Sequence, residues 1–224
     1  VYVFGPDLLR DTGASLVPMY LAAITIVTAS LIALTKDNLK ARLAYSTISQ
    51  LSYIVLGAML ASSMGVLGGG MHIAMHAMGK ITLFFCAGAI YVTAHKTLVS
   101  ELDGLGRAMP FTFAAFGVGS LSIIGLPPLG GSWSKWHLVL GAADTGQYIM
   151  IAVLMASSLL NIAYLLPVFI RGFFAAPPEG AEPPSLSEAP ALCVAPLCLT
   201  AIGSVVLFFF SDSIYHLLLP IVER

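Results

Sequence analysis

The chain has 224 residues, of which 58% are hydrophobic and 9% charged, with a formal net charge of -1. A soluble domain carries about 25% charged residues, so this composition describes an integral membrane protein whose apolar runs are long enough to cross as helices. The near-zero charge offers nothing to a nucleic acid. The three cysteines, Cys86, Cys193 and Cys198, lie in apolar segments as small buried hydrophobes, not as a disulfide frame or a metal site.

In chain order, residues 1–14 are expected to form an extramembrane loop. The chain starts at Val1 with no initiator Met, and no basic region followed by a short apolar run marks a signal peptide. Val1-Tyr2-Val3-Phe4-Gly5-Pro6-Asp7 resembles a loop entered from an earlier segment, so a piece of a longer protein is expected. Six spanning segments follow, at about 15–35, 42–63, 66–94, 109–143, 147–171 and 189–210, with lengths that suit a hydrocarbon core of about 30 Å. The first five make one unit over residues 15–172, and the fourth is interrupted. Residues 173–188 are rich in Pro, Glu and Ser and are expected to form a flexible loop. Residues 189–224 hold the last helix and a short amphipathic tail at the interface.

Lysine and arginine set the expected orientation. Lys36, Lys40, Arg42, Lys96, Arg107 and Arg171 fall on one side, and only Arg10 and Arg224 on the other. The rich side is expected to be cytoplasmic, with both chain ends opposite. Lys80 and Lys135 lie inside apolar segments, whereas all eleven acidic residues lie in loops or at segment ends. The embedded charge is therefore cationic, and this chain supplies no clear carboxylate to balance it.

Three motifs carry chemistry. The first is Met71-His72-Ile73-Ala74-Met75-His76-Ala77-Met78-Gly79-Lys80, with ionisable groups at i, i+4 and i+8. On a helix they share one face over about 12 Å. An imidazole changes charge near neutral pH, and a buried lysine amine can exchange its proton. Intramembrane ionisable groups mark ion or proton paths, so His72, His76 and Lys80 are expected to relay protons. The competing role is structural: imidazoles bonding between helices and a snorkelling lysine. The second motif is Ile124-Gly125-Leu126-Pro127-Pro128-Leu129-Gly130-Gly131-Ser132-Trp133-Ser134-Lys135. Pro127 and Pro128 remove backbone donors, while Gly125, Gly130 and Gly131 permit non-helical geometry. A break at membrane depth is tolerated where it is buried or lines a cavity, and it is typical of ion-coupling sites. Lys135 just beyond it joins the expected relay, with a plain proline kink as the alternative. The third motif is the polar start of the second segment, Asp37 to Tyr53, in which Ser46, Ser49 and Tyr53 share one face near Lys40. Two roles fit equally: support for waters leading in from an entrance, or interhelical hydrogen bonds. Asn161 points to helix packing, Gly68-Gly69-Gly70 to close packing ahead of local unwinding, and His95, His137 and His216 to interfacial positions, with His137 close enough to Lys135 in the chain to stay a candidate for the relay. No phosphate loop, dinucleotide fingerprint, cysteine cluster or nucleophile elbow is present, so no cofactor is expected on this chain.

These motifs together, with Lys40-Ala41-Arg42-Leu43-Ala44-Tyr45-Ser46-Thr47-Ile48-Ser49-Gln50 at their head, resemble the antiporter-like subunits. That family includes the proton-pumping subunits of respiratory complex I and the large subunits of Mrp-type sodium/proton antiporters. The likeness covers about residues 36–172, and Gly125–Leu140 and Ser157–Pro167 look most like the D-type members of the Mrp group. The resemblance implies an all-α membrane fold of two inverted five-helix repeats, each with one broken helix. This chain matches the second repeat plus a final helix. By position, Lys80 looks like the central relay lysine with His72 and His76 as partners, Lys135 like the terminal residue on the exit side, and Lys40 like a basic position that opens the second segment. The first repeat supplies a glutamate–lysine pair in the family, which this chain lacks.

The expected function is therefore a proton-translocating subunit, or the C-terminal half of one, in a multisubunit monovalent cation/proton antiporter of a bacterial-type cell membrane. It would be a secondary transporter rather than an enzyme. The alternative is a proton-pumping subunit of an NADH–quinone oxidoreductase or membrane-bound hydrogenase complex. A third possibility is a half-repeat that only scaffolds its neighbours. Expected partners are the lipid bilayer, other membrane subunits including one carrying the first repeat, protons and a monovalent cation.

Overall fold

The computed structural model describes residues 5–176 and 186–223, and among these it is all helical. The helices are α1 (Gly5–Asp11), α2 (Leu16–Thr35), α3 (Leu39–Met59), α4 (Ser63–Ala94), α5 (Pro110–Ile124), α6 (Gly131–Asp144), α7 (Tyr148–Phe174), α8 (Ala191–Phe209) and α9 (Ser211–Val222). Four of them, α2, α4, α7 and α8, are long and apolar enough to cross a membrane. α3 has the length, at 21 residues, but carries the polar face of the third motif. The fourth predicted segment is indeed two helices, α5 and α6, separated by residues 125–130.

Local chemistry explains most of the ends. Asn38 caps α3 by accepting from Ala41 N at 3.0 Å, and Ser62 caps α4 by accepting from Gly65 N at 3.1 Å. These caps satisfy amides that have no partner within the helix. Pro110 opens α5, where its missing N–H costs nothing. The Glu188 carboxylate then accepts from Phe111 N at 2.7 Å and Thr112 N at 3.2 Å, placing an acid at a helix N-terminus. One expectation changes. The loop predicted at 1–14 contains helix α1, because a proline and Asp7 sit in its first turn and Arg10 in its last, and the Arg10 guanidinium donates to Asp7 at 2.7 Å. Most of the loop expected at 173–188 lies outside the described residues, and α7 continues to Phe174 before it. The predicted amphipathic tail is α9, which lays Leu218 against Gly70 of α4 and the Tyr215 ring beside His137, with ring centroids 5.6 Å apart.

Packing divides the bundle into three levels. One apolar cluster joins Leu39, Leu43, Leu83, Ile90, Phe113, Phe116 and Val168 at the end rich in Lys and Arg. A second joins Met19, Ile26, Leu56, Leu60, Leu138, Met150 and Leu154 at the opposite end. Between them, every helix from α2 to α7 contributes a buried polar residue: Ser30, Gln50, His76, Ser122, Lys135 and Asn161 in turn. Three helices approach closely at glycines. A Cβ on Gly57 of α3 would lie 2.6 Å from Gly65 O of α4, and one on Gly141 of α6 would lie 2.4 Å from Gly65 N. Small residues at a crossing let backbones meet, which is how helices associate in lipid.

The Lys/Arg-rich end is tied together by acids. Asp37 accepts from Ser100 N at 3.0 Å and from Ser100 Oγ at 2.6 Å, and Arg171 donates to Asp103 at 2.6 and 2.9 Å. The Ser100 hydroxyl holds the Asp37 carboxyl below the usual aspartate value, and the Arg171 guanidinium does the same for Asp103. A carboxyl depressed by folding contributes stability that is complete above its ordinary pKa of 3.8 and is lost as pH falls through the lowered value. Protection of the Ser100 amide against hydrogen exchange, corrected for intrinsic rate, should therefore stay level from neutral pH to about 4 and then fall. A decline that begins near pH 6 would contradict the assignment to these aspartates.

Candidate functional site

The polar layer is built by an antiparallel pairing of α3 with α4. Ser46 meets Lys80, the Tyr53 ring stacks on the His72 ring with centroids 5.3 Å apart, and Gly57 lies against Gly69. Residues 46, 50, 53 and 57 thus form a single stripe along residues 80, 76, 72 and 69. This spacing follows from 3.6 residues per turn.

Lys80 is 5% exposed and Lys135 8%. The Lys80 ammonium donates to Ser46 Oγ at 2.6 Å and weakly to Leu43 O at 3.4 Å. The Tyr164 hydroxyl of α7 reaches the same Ser46 Oγ at 2.7 Å and also donates to Asn161 Oδ1. Asn161 Nδ2 in turn points at Ile123 O in the last turn of α5, at 3.5 Å. The helix break frees the neighbouring carbonyl, Ile124 O, which accepts from the Lys135 ammonium at 3.0 Å. Lys135 also donates to Ser158 Oγ at 3.0 Å and lies 5.2 Å from the centroid of the Tyr53 ring. A lysine at the carbonyl end of a half-helix is favourably placed against the helix dipole. Gly125 makes that approach possible, because its φ of +92° suits glycine and a Cβ there would lie 2.8 Å from the Lys135 Cδ.

The histidines complete the layer. His72 Nδ1 lies 2.9 Å from Ser134 Oγ, and that hydroxyl donates to Gly131 O at 3.1 Å. Its single proton is then used, so it accepts from His72 Nδ1–H and leaves His72 Nε2 as the lone-pair nitrogen. The His72 and His76 rings stack with centroids 5.5 Å apart. His72 Nε2, His76 Nδ1 and both polar atoms of Gln50 are buried without a hydrogen-bond partner among the described residues.

The structure thus brings His72, His76, Lys80 and Lys135 into one layer with Ser46 and Tyr53, beside the Gly125–Gly131 break. Pro127 and Pro128 lie in the exposed turn of that break, and Gly130 and Gly131 are buried at the start of α6. Ser49 departs from the face predicted for it. It bonds Ser30 of α2 at 2.9 Å and Ile26 O at 3.0 Å, because it sits about 60° around the helix from Ser46 whereas residue 50 sits about 40° away on the α4 side. Lys40 is exposed, with its ammonium 5.1 Å from the Tyr91 ring centroid and away from the layer. Arg42 is buried, donating to Lys36 O at 2.7 Å and to Tyr164 O at 3.1 Å. Among the described residues the three ion pairs are Arg10–Asp7, Arg171–Asp103 and His216–Asp212, all outside the layer. The partners of the two buried lysines are neutral oxygens. Sequence reasoning missed Gln50, Tyr164, Ser134 and Ser158 as members of the layer. For Gln50 the available signal was its i+4 spacing from Ser46, and for Tyr164 its i+3 spacing from Asn161.

Residues 4–161 match the family described as NADH:quinone oxidoreductase/Mrp antiporter, TM. The chain is 37% identical over 205 residues to NADH-quinone oxidoreductase subunit N of Desulforudis audaxviator, covering 87% of this chain and 41% of that protein. It is 31% identical over 164 residues to a Na(+)/H(+) antiporter subunit of Alkalihalophilus pseudofirmus, covering 73% of this chain and 33% of that protein. It therefore spans well under half the length of these relatives. Its fold matches a chain of the Mrp complex from Dietzia sp. DQ12-45-1b with a TM-score of 0.82 at 22% identity, covering 93% of this chain and 46% of that one. With the family matched over most of its length, the broken helix in place and the antiporter-like fold reproduced, this multi-pass membrane chain belongs to the NADH:quinone oxidoreductase/Mrp antiporter transmembrane family.

Proposed function

We propose that this chain carries protons through the centre of a multisubunit cation/proton antiporter. The observation that supports this most is the pair of buried lysines, each held by neutral oxygens and joined by a histidine pair at a helix break. An ammonium kept in such surroundings is costly, and the cost is lowered when it passes its proton on. The proton moves among Lys80, His76, His72 and Lys135, with Lys80 facing the Lys/Arg-rich end and Lys135 the opposite end. In this reading α3 and the α5–α6 pair complete six crossings with the four apolar spans. The Lys/Arg-rich end is cytoplasmic. Partner membrane subunits, or further segments, bring the carboxylate that balances Lys80, and charge changes there couple to it through a low-dielectric interior.

The second reading is a proton-pumping subunit of a redox-driven complex, and the 37% identity to a subunit named for NADH-quinone oxidoreductase favours it. The residues and the path are the same, and the driving reaction lies on other chains. Purification of the native complex separates the two. Flavin and iron–sulfur absorbance assigns the redox complex, and small membrane subunits without those bands assign the antiporter. Replacing Lys80 and Lys135 together with methionine tests both against a purely scaffolding role. Transport is expected to be lost with assembly intact, whereas a scaffold would transport normally.

A further inference from the structure

Gln50 lies midway along α3 with 0% exposure, and neither its amide nitrogen nor its amide oxygen has a hydrogen-bond partner among the described residues. An amide left so is expensive, since buried polar groups are bonded to protein or to ordered water in folded chains. The α3–α4 register decides what it faces. Ser46 meets Lys80 on one side and Tyr53 stacks on His72 on the other, so Gln50, between them, stands opposite His76. His76 Nδ1 is also buried and unpartnered, as is His72 Nε2 one turn further on. The Tyr53 hydroxyl is a close neighbour of the amide but makes no well-formed hydrogen bond with it, and its own bond goes to Leu154 O at 3.4 Å. Three residues on one stretch of the α3–α4 interface thus carry buried polar atoms without a partner among the described residues, and a buried water needs two to four such partners.

We infer that Gln50 and His76 hold a water molecule between them, and that Gln50 is a positioning residue for the proton path. The inference rests on the proton-carrying reading above and adds to it the group that links Lys80 to the histidine pair. Lys80 has no direct bond to His76; its donors go to Ser46 and Leu43. The water closes that gap. One proton leaves the Lys80 ammonium for the water as the water gives one to His76 Nδ1, so the lysine becomes neutral, the imidazole becomes imidazolium and the water is restored. The Gln50 amide neither gains nor loses a proton. It fixes the water by accepting one of its hydrogens or donating to its oxygen, and being neutral it adds no charge to a layer that already holds two lysines.

The test compares Gln50→Leu and Gln50→Asn with Lys80→Ala in the full complex, reconstituted in vesicles with a pH-sensitive dye. Leucine keeps the volume and removes the amide, so transport should fall about tenfold, the rate equivalent of one lost hydrogen bond. Asparagine keeps the amide and should restore most of the rate, which a purely packing role for Gln50 would not give. Full transport by Gln50→Leu, or equal loss in both variants, overturns the water site. Normal transport by Lys80→Ala instead overturns the proton-carrying reading itself. If Gln50→Leu does not assemble, an experimental map of the wild-type complex decides. Density for a water bonded to Gln50 and His76 supports the inference, and a direct bond between the two side chains overturns it.

Discussion

Replacing Lys80 with alanine is expected to stop proton-coupled transport while the complex still assembles. Proton exchange needs a group that can carry the proton, and removing such a group costs about 100-fold or more in rate. Assembly should survive because the lysine is not holding the bundle together. Its ammonium has no carboxylate partner among the described residues, and its bonds go to Ser46 Oγ and Leu43 O. Ser46 keeps its contact with Tyr164 at 2.7 Å when the ammonium is gone. Relief of a desolvation penalty worth several kcal/mol opposes the cost of the space left by the side chain's stem. The melting temperature of the purified complex should therefore be unchanged or raised. Lys80→Arg sharpens the test, because guanidinium stays charged throughout the working pH range. It should assemble and fail to transport, which separates proton exchange from the mere presence of charge. Wild-type transport by an assembled Lys80→Ala complex would remove Lys80 from the path.

The second large effect is structural and falls at the helix break. A Cβ at Gly131 would lie 1.9 Å from Ser122 O, a backbone atom that no rotamer change can move. The first residue of α6 is thus pressed directly against the last turns of α5. Gly131→Ala must force the two half-helices apart, at a cost of about 1–3 kcal/mol or more for overpacking. That shift also moves Lys135 away from Ile124 O, now at 3.0 Å, and Ser134 away from His72 Nδ1, now at 2.9 Å. Transport and melting temperature should both fall sharply. Gly88, in the same bundle on α4, is the control: nothing lies within 4 Å of its Cβ position. Gly88→Ala should be neutral or slightly stabilising, by up to about 1 kcal/mol from helix propensity. Equal behaviour of the two variants in a thermal melt would show that the break is not clamped at Gly131.

Much of this layer is legible without coordinates. Composition alone declares a membrane protein, because apolar residues at this density cannot be kept from lipid or from one another. The His72, His76 and Lys80 stripe is visible because helix geometry turns i, i+4 and i+8 into neighbours, and that local rule holds whatever the helix packs against. The break is visible for the same reason: Pro127, Pro128 and three glycines act on their own backbone. Caps such as Asn38 and Ser62 are equally local.

Tertiary structure decides everything that depends on which face meets which helix. Ser46 and Ser49 look alike in sequence, yet only Ser46 reaches Lys80, because the α3–α4 register turns Ser49 toward α2. Lys40 and Arg42 look like a pair of interfacial cations, but Lys40 is exposed while Arg42 is buried against the Tyr164 carbonyl. Tyr164, 84 positions from Lys80 in the chain, shares Ser46 with it. The carbonyl that holds Lys135 is free only because α5 ends at Ile124 and α6 folds back beside it. Residue type and spacing along one helix thus determine that this protein carries buried ionisable groups. Their partners come from other helices, through contacts remote in sequence, and only packing selects them.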